Sequence, residues 1–459
     1  MRTGHRLRRG IRGTRHARTT TRARWRGMGL ADLLDMSIGK LAALLAVFSS
    51  ACSESKQTTV TYHQDIKPIF DAKCVTCHTA GGIAPFPLDN YASAAERAAP
   101  IARAVVARRM PPWPPNPECR EYEGDRSLDT AQIEAIQRWV ALDAPEGDPS
   151  RPGAPIPVSR PTLSRVDLRL ELPEPYTPMP PAGARDDYRC FVIPWPAEYT
   201  QRMFVTGFRG VPGDVEIVHH MLAFLAGPDQ VAQFQALDAA EAGSGYTCFG
   251  GPRAEDQGII AGWAPGTLGA DLPAGIGLPI EPGSALILQV HYNGRGGPDR
   301  SALELKLDTA VDRPGHVYAL VDPQWTERNM PIPAGARDVV HSYTADPTLG
   351  LGEIELFSAL LHMHLLGTSG TLSVQRADGS QTCLLQINRW DFNWQDSFFF
   401  TKPEIVRRGD RLSIECHWDN SAENQPIVNG MRRPPADVNW GDGTDDEMCV
   451  GFFLTAPLP

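Results

Sequence analysis

The chain changes its hydrophobic pattern once, across a Pro-rich stretch, and this change constrains the fold more than any other feature. Residues 58–148 carry apolar side chains at helical spacing. Residues 149–165, "PSRPGAPIPVSRPTLSR", have the composition of a linker. Beyond them, alternating or continuous apolar runs, such as those at 167–173 and 285–293, are separated by Gly-rich turns. We therefore expect a small all-α domain followed by all-β domains.

Two helices of the first region have predictable limits. One is expected from Ser93 to Arg109, because Pro111 follows and prevents its continuation. Another is expected to begin after Asp129, a good N-cap, since Ile133 and later apolar residues follow at helical spacing.

The first 51 residues resemble an export signal. They carry 11 basic and 2 acidic side chains, and ten of the basic ones are arginines before residue 28. The apolar run at 41–48 is too short to span a bilayer and leads through small residues to Cys52, as at a bacterial lipoprotein cleavage site. This predicts an exported protein of the periplasm or cell envelope, with a candidate lipid anchor at Cys52. Translation from Met28 or Met36, or a basic arm that binds nucleic acid, are the alternatives.

The charge balance excludes one class of partner. The net charge of the whole chain is −10, although its first 51 residues are strongly basic. The remaining chain is therefore markedly acidic, which argues against nucleic acid as a partner.

The motif "CVTCH" at 74–78 predicts a covalently attached c-type haem. Two thiols at this spacing form thioethers with the two vinyl groups of one haem, and the next histidine reaches the iron. Cys74 and Cys77 would attach the haem and His78 would be its proximal ligand. Met110, in "RRMPPW", is the candidate sixth ligand and His63 its rival. A redox C-x-x-C pair or half a zinc site is the alternative. "DIKPIFDAKCVTCH", "GGIAPFPL" and "RRMPPW" together resemble cytochrome c-like domains.

Metal-binding residue types recur in the β region, where the histidines form three groups: His219–His220, His291 and His362–His364. Side chains two apart on a strand share a face, so His362 and His364 make a bidentate pair. Gln289 shares a face with His291 in the same way. Adjacent histidines point to opposite faces unless the backbone twists or bulges.

Met448, in "GTDDEMCVGFF", favours copper among the metals that imidazole binds. A thioether suits Cu(I), whereas zinc, the competing metal, has no use for a methionine ligand. One site with three histidines and one with two histidines and a methionine would give two coppers of different softness.

The β region resembles the copper type II, ascorbate-dependent monooxygenases, the family of peptidylglycine and dopamine hydroxylases. The resemblance covers about 185–455 and rests on the order of six stretches: "YRCFVIP", "IVHHMLAF", "GWAPG", "LILQVHYN", "LLHMHLLG" and "DDEMC". It implies two jelly-roll (β-sandwich) domains that each carry one copper and face each other across an open cleft.

The resemblance also implies a role for each metal ligand. His219, His220 and His291 would hold an electron-storing copper. His362, His364 and Met448 would hold the catalytic copper, where O₂ is activated and a C–H bond of a small-molecule substrate is hydroxylated. The expected segments are 1–51 for the leader, 52–148 for the haem domain, 149–165 for the linker, and 166–312 and 313–459 for the copper domains.

Two departures concern the substrate. Where peptidylglycine enzymes have an arginine before the H-x-H motif and a tyrosine after the methionine ligand, this chain has Leu360 and Phe452. Those groups bind a substrate carboxylate, so we expect a substrate other than a glycine-extended peptide.

The resemblance accounts for four further cysteines as two disulfides, Cys190–Cys248 and Cys416–Cys449. An exported, oxidising setting permits both bonds. Cys119 and Cys383 remain, and whether they pair with each other is left open by the sequence.

These features predict an exported copper monooxygenase that receives electrons through its own c-type haem from an external donor. The Pro-rich linker would keep the haem close to the copper domains. The alternative is a non-catalytic haem and copper protein that transfers electrons or holds copper.

Overall fold

The N-terminal region is helical, as its apolar spacing predicts. The computed structural model describes residues 59–80 and 84–157 of this region. They contain a π-helical turn, Tyr62–Ile66, followed by α1 (Lys67–Lys73), α2 (Tyr91–Glu96), α3 (Ala98–Val106) and α4 (Thr130–Ala141). Their apolar faces meet in one cluster, in which Tyr62, Phe70 and Trp139 are completely buried. The structure also describes residues 162–181, 186–253, 258–264, 267–428 and 430–459. The predicted leader and Cys52 lie outside the described residues.

The single helix predicted from Ser93 to Arg109 is wrong in its extent. The structure has two helices that are separated at Arg97, and the second ends at Val106. Pro100 explains the break, because it has no N–H to donate to the carbonyl of Glu96. The other prediction is confirmed: the Asp129 side chain accepts from the backbone of Gln132, whose side chain returns a bond to form a capping box that starts α4.

Two groups of strands follow, and their bounds are given in chain order. The first group consists of β1 (Leu168–Glu171), β2 (Asp186–Pro194), β3 (Met203–Val211), β4 (Val218–Ala226), β5 (Tyr246–Thr247), β6 (Gly258–Trp263), β7 (Ala270–Asp271), β8 (Ile276–Ile280), β9 (Ala285–Asn293), β10 (Ala302–Asp308) and β11 (Arg313–Pro314). The second group consists of β12 (His316–Leu320), β13 (Val339–Ala345), β14 (Ile354–His362), β15 (Gly367–Gln375), β16 (Gln381–Ile387), β17 (Phe398–Val406), β18 (Arg411–Trp418), β19 (Ile427–Val428), β20 (Met431–Arg432) and β21 (Val450–Pro457). Three short helices interrupt them: α5 (Val231–Ala239), α6 (Pro323–Thr326) and α7 (Thr348–Leu351).

Each group of strands forms two sheets around an apolar core. In the first, the sheet β5-β2-β9-β4-β6 faces the sheet β1-β10-β3-β8-β11, where β7 also pairs with β3. In the second, the sheet β12-β21-β14-β17 faces the sheet β13-β18-β15-β16. The prediction of β-rich domains of the sandwich type is thereby confirmed. The apolar sequence run at 285–293 forms β9, whose side chains are buried on both faces up to Asn293.

The helical region is attached to the second pair of sheets. Cys119 forms a disulfide with Cys383 of β16, which answers the question that the sequence left open. The Tyr122 hydroxyl donates to the carbonyl of Leu384, and Arg120 forms an ion pair with Glu404 of β17. Val60–Pro459 accordingly form one compact unit.

Among the described residues, no helix combines the length and apolar character needed to cross a membrane.

Candidate copper centres and their shared cavity

A β-bulge brings His219 and His220 to the same side of the first sandwich. On β4, Val218 pairs with Tyr292 and His220 pairs with His291, so His219 is an extra residue between two successive pairs. A bulge of this kind re-aims a side chain that strict alternation would send to the opposite face. The sequence analysis required a twist or bulge for His219 and His220 to share a face, and the structure contains a bulge there.

The three histidines of the first group converge with suitable geometry for one metal ion. The Nδ1 atoms of His219 and His291 each lie 3.3 Å from Nδ1 of His220. One nitrogen from each of the three rings lies within 4.8 Å of the other two. Three converging imidazoles are a ligand set typical of copper or zinc.

Two residues that the sequence analysis did not single out orient His291. Its Nε2 lies 2.9 Å from Oδ1 of Asp186, so Nδ1 is the nitrogen available to a metal. Tyr188 stacks on its ring at 4.0 Å between centroids. Burial alone would raise the pKa of Asp186, but its hydrogen bonds with His291 and Thr444 lower that pKa to about 2.

The second group lies where β14 ends. His362 is the last residue of the strand and His364 follows it, with ring centroids 5.0 Å apart, while Met363 between them is completely buried in the core. The predicted sharing of one face by His362 and His364 is therefore confirmed. His362 pairs with Val450 of β21, which brings Met448, two residues earlier, to the same end of the sheet.

Both histidines of the second group are held through Nδ1. The His362 Nδ1 lies 2.6 Å from Oε1 of Gln395, and the His364 Nδ1 lies 3.0 Å from the carbonyl oxygen of Asp446. Each contact fixes the ring and leaves Nε2 as the nitrogen for a metal. Burial lowers the pKa of both histidines, which favours the neutral form that a metal ligand needs.

A buried carboxylate anchors the backbone of this second group. Glu447 accepts from the backbone N–H groups of His364 and Leu366, and from the indole of Trp418. Burial raises the pKa of Glu447 to about 7, against the effect of these donors. Cys449, the residue after Met448, forms a disulfide with Cys416 of β18. The segment that carries Met448 is therefore held on one side by Glu447 and on the other by this disulfide.

The two groups lie close together, which corrects the open cleft that the family resemblance implies. The rings of His220 and His362 are 6.4 Å apart between centroids. The ring of Phe392 stacks on His219 at 4.5 Å and meets the edge of His364 at 5.9 Å. Hydrogen bonds from Thr444 to Asp186 and from Tyr188 to the carbonyl of Asp442 hold the two sandwiches in this closed arrangement.

A cavity of about 460 Å³ opens onto the second group. All three predicted ligands of that group line it, whereas only His220 does so from the first group. Its other walls are mostly apolar and come from both sandwiches, including Phe208, Leu222, Trp263, Leu360, Phe452 and Leu454. Leu360 and Phe452 are cross-strand partners on β14 and β21, so the two predicted departures face the same space. Gln289 also lines the cavity and donates to the carbonyl of Cys248.

The two candidates for the sixth haem ligand have different surroundings. Met110 packs against the helical cluster together with Cys74 and Phe86. His63 lies beside the turn after α4, where its Nε2 is 3.5 Å from Glu146. The Nδ1 of His78 lies 2.9 Å from the carbonyl oxygen of Phe86, which leaves Nε2 for an iron. Burial lowers the pKa of His78, although the contact with Phe86 opposes the effect.

The described cysteines divide as the sequence suggested. Cys190–Cys248 and Cys416–Cys449 are disulfides, as the family resemblance implied. Cys74 and Cys77 are half-buried thiols at the end of α1.

Several supporting residues escaped the sequence analysis because their roles depend on contacts between distant segments. Asp186 and Thr444 are 258 positions apart, and Gln395 is 33 positions from His362. No local pattern marks such residues, and only the order of the stretches around them suggested that the segments meet.

The fold and these two donor sets define a two-centre metalloprotein built on paired β-sandwiches. Residues 174–297 match the N-terminal domain, and residues 326–456 the C-terminal domain, of the copper type II ascorbate-dependent monooxygenases. The chain thus carries both domains of that family, which binds two copper ions and is associated with copper-dependent hydroxylation.

Individual relatives agree with this assignment. DBH-like monooxygenase protein 2 of Mus musculus is 26% identical over 292 residues, which is 59% of this chain and 43% of the relative. Putative DBH-like monooxygenase protein 2 of Homo sapiens is 25% identical over 260 residues, or 52% of this chain and 47% of the relative. The chain therefore spans less than half the length of these relatives.

Among solved structures, PNGase F, a glycosylasparaginase from Flavobacterium meningosepticum, matches 63% of this chain and 95% of its own chain, at 10% identity and a TM-score of 0.28.

Proposed function

We propose that this protein is a copper-dependent monooxygenase that hydroxylates a C–H bond of a small, predominantly apolar substrate with O₂. The observation that carries the proposal is the cavity, because it brings an apolar space of substrate size into contact with His362, His364 and Met448. The overall reaction consumes the C–H substrate, O₂, two electrons and two protons, and yields an alcohol and water.

The donor sets fit two coppers with different tasks. His219, His220 and His291 offer three imidazoles and would hold the electron-storing copper. His362, His364 and Met448 offer two imidazoles and a thioether, a softer set that favours Cu(I). Copper bound there supplies one-electron redox chemistry and an open coordination position for O₂. The protein's part is to hold the rings through Gln395 and the carbonyl of Asp446, and to exclude water with the apolar walls.

The cavity walls argue for a substrate without a carboxylate near the reacting carbon. Leu360 and Phe452 face the cavity and provide neither a charge nor a phenol. Burying an ionised carboxylate without such a partner costs far more than the roughly 2–7 kcal/mol of an unpaired neutral polar group. Peptides that end in glycine are therefore expected to be poor substrates.

We further propose that the helical region carries a c-type haem that supplies electrons from an external donor. Cys74 and Cys77 would attach it, with His78 and Met110 as the axial ligands. The proposal is supported by the contact of the His78 Nδ1 with the Phe86 carbonyl and by the packing of both Met110 and Cys74 against the same helical cluster. When bound, such a haem is a one-electron carrier.

The proposal includes export to the periplasm or cell envelope, with a lipid anchor at Cys52. Its support is the basic leader, the short apolar run and the small residues before that cysteine. Three disulfides among the described residues agree with an oxidising compartment.

Oxygen consumption tests the monooxygenase proposal. The protein, loaded with copper and supplied with ascorbate, is screened against paired compounds that differ only in a carboxylate. We expect O₂ uptake coupled to formation of an alcohol from the uncharged members. The His362→Ala variant should abolish this uptake, while Met363→Leu, a change of the buried neighbour, should retain it. Product formation that is equal in the wild type and in His362→Ala contradicts the proposal. Absence of product from the copper-loaded wild type also contradicts it and favours a non-catalytic copper protein.

A further inference from the structure

One loop touches both the helical region and the histidines of the second copper centre. It consists of residues 388–397, between β16 and β17, and is called the bridging loop below. Residues that contact the helical region lie next to residues that contact the histidines in this loop, so a short piece of chain connects the two regions.

On the helical side, the bridging loop reaches the neighbourhood of the proposed haem ligand Met110. The Arg389 guanidinium donates from Nη2 to the carbonyl oxygen of Arg108 at 2.7 Å. Arg108 lies only two residues before Met110. Asp396 forms an ion pair with Arg126 at 3.2 Å, and both side chains are largely buried.

On the copper side, neighbouring residues of the same loop hold both histidines of the second group. The Trp390 indole N–H donates to the carbonyl oxygen of His364 at 2.9 Å. The Gln395 side chain meets Nδ1 of His362 at 2.6 Å. Arg389 and Trp390 are adjacent in the chain, as are Gln395 and Asp396, so each pair joins a helical-region contact to a histidine across one peptide unit.

The helical region is fixed in this position rather than tethered at a distance. The disulfide between Cys119 and Cys383 ties it covalently to β16, the strand that leads into the bridging loop. Trp113 meets Phe398, the first residue after the loop, edge to face at 5.3 Å. Trp113 and Thr76, which lies between the two haem-motif cysteines, also line the cavity that the second copper centre shares.

The bridging loop meets the first histidine group through an aromatic ring. Phe392 stacks on His219, with ring centroids 4.5 Å apart, which is a van der Waals contact. Electron transfer is favoured along covalent bonds and short hydrogen bonds over jumps through space. The bridging loop therefore favours the second group as the point of entry.

We propose that electrons from the haem enter at the His362–His364–Met448 copper through the bridging loop, and not at the three-histidine copper. The inference rests on the proposed function. The route runs from Met110 through Arg108, Arg389 and Trp390 to His364. The contacts of Asp396 with Arg126 and of Gln395 with His362 add a second link between the helical region and the same centre. Each step oxidises one haem Fe(II) to Fe(III) and reduces one Cu(II) to Cu(I), and the external donor reduces the haem again. The rings of His362 and His220 are 6.4 Å apart between centroids, and one electron would then pass between them to the three-histidine copper.

Pulsed reduction of the fully oxidised protein tests this entry point. The full chain, with haem and both coppers bound, receives less than one electron per molecule under anaerobic conditions. Absorbance then follows reduction and reoxidation of the haem. Arg389→Ala removes the bond to Arg108, and Trp390→Phe removes the bond to His364 but keeps an aromatic ring. Arg411→Ala is the matched control for the first, since Arg411 is also an exposed arginine that donates to a backbone carbonyl, that of Thr344. Trp325→Phe, a buried tryptophan of the same core cluster, is the control for the second.

We expect haem reoxidation to become several-fold slower in Arg389→Ala and Trp390→Phe and to remain unchanged in the two controls. It should also persist in the His219→Ala, His220→Ala double variant. Loss of reoxidation in that double variant, or unchanged rates in both bridging-loop variants, overturns the inference. Ascorbate-driven O₂ uptake, measured in parallel, bypasses the haem and should be retained in Arg389→Ala, since the bond of Arg389 to Arg108 lies on the helical side of the loop. Its absence from the wild type is a failure of the proposed function and is thereby distinguished from a failure of the entry route.

Discussion

The two histidine groups use the same side chain in different settings. The first lies within a sheet, where a bulge in β4 turns His219 and His220 toward His291. The second lies at a strand end, and its ligands continue into a loop whose backbone is anchored by the buried Glu447. The first set consists of imidazoles only, and the second includes the thioether of Met448.

This difference supports the separate tasks that we propose for the two centres. A site inside a hydrogen-bonded sheet has little freedom to change its geometry, which suits storage of an electron. The site at the strand end faces the cavity with all its ligands and is reached by the helical region through the bridging loop. Under the proposed function, access to substrate and access to electrons would coincide at the softer centre.

The largest expected effect is the loss of hydroxylation when either histidine group is removed. Both His362→Ala and the His219→Ala, His220→Ala double variant should reduce product formation to background. Binding of substrate-like apolar compounds should weaken in His362→Ala and stay intact in a single His219→Ala variant, because His362 lines the cavity and His219 does not. Product analysis and a binding titration measure the two effects. Retention of full activity in either variant breaks the comparison.

A smaller effect is expected on stability when Glu447 is replaced. Glu447→Leu leaves three buried N–H donors without their acceptor and should destabilise the fold by roughly 3–5 kcal/mol. Glu447→Gln keeps one acceptor oxygen and should cost less. Urea denaturation measures both, and equal stabilities of the two variants contradict the anchoring role.

Removal of the thioether should affect one centre only. Met448→Leu removes a soft ligand and no imidazole, so it should weaken Cu(I) binding at the second centre. We expect a loss of roughly 100-fold or more, because loss of a residue that only supports a ligand already costs about 10–100-fold in metal affinity. Met363→Leu is the matched control, because Met363 is buried between the two histidines and belongs to the core. Competition with a Cu(I) chelator measures the affinities. A similar loss in both variants argues against Met448 as a ligand.

The mildest change concerns the support of the first centre. Asp186→Asn weakens the acceptor that orients His291 and should lower copper affinity there by about 10–100-fold. The second centre should keep its affinity. If Asp186→Asn instead releases copper from the second centre, the contact of Asp186 with Thr444 matters more than its contact with His291.

Local rules in the sequence predicted that candidate ligands lie together, but they did not predict what surrounds them. His362 and His364 could be placed together because alternation along a strand is a local rule, and α4 could be started at Asp129 because capping is local. The bulge at His219, the pairing of Cys119 with Cys383 and the contacts of Gln395 depend on how distant segments meet. The extent of the helix after Ser93 was mispredicted because the effect of Pro100 on the preceding turn was not considered.

The most direct test is the copper content of the purified protein together with its two histidine variants. The wild type should contain two coppers per chain. The His219→Ala, His220→Ala variant and the His362→Ala, His364→Ala variant should each contain one, and X-ray absorption of the reduced protein should detect sulfur bound to copper in the former variant only. One copper per chain in the wild type, a predominance of zinc, or a sulfur ligand that survives in the His362→Ala, His364→Ala variant contradicts the account of two centres with different donors.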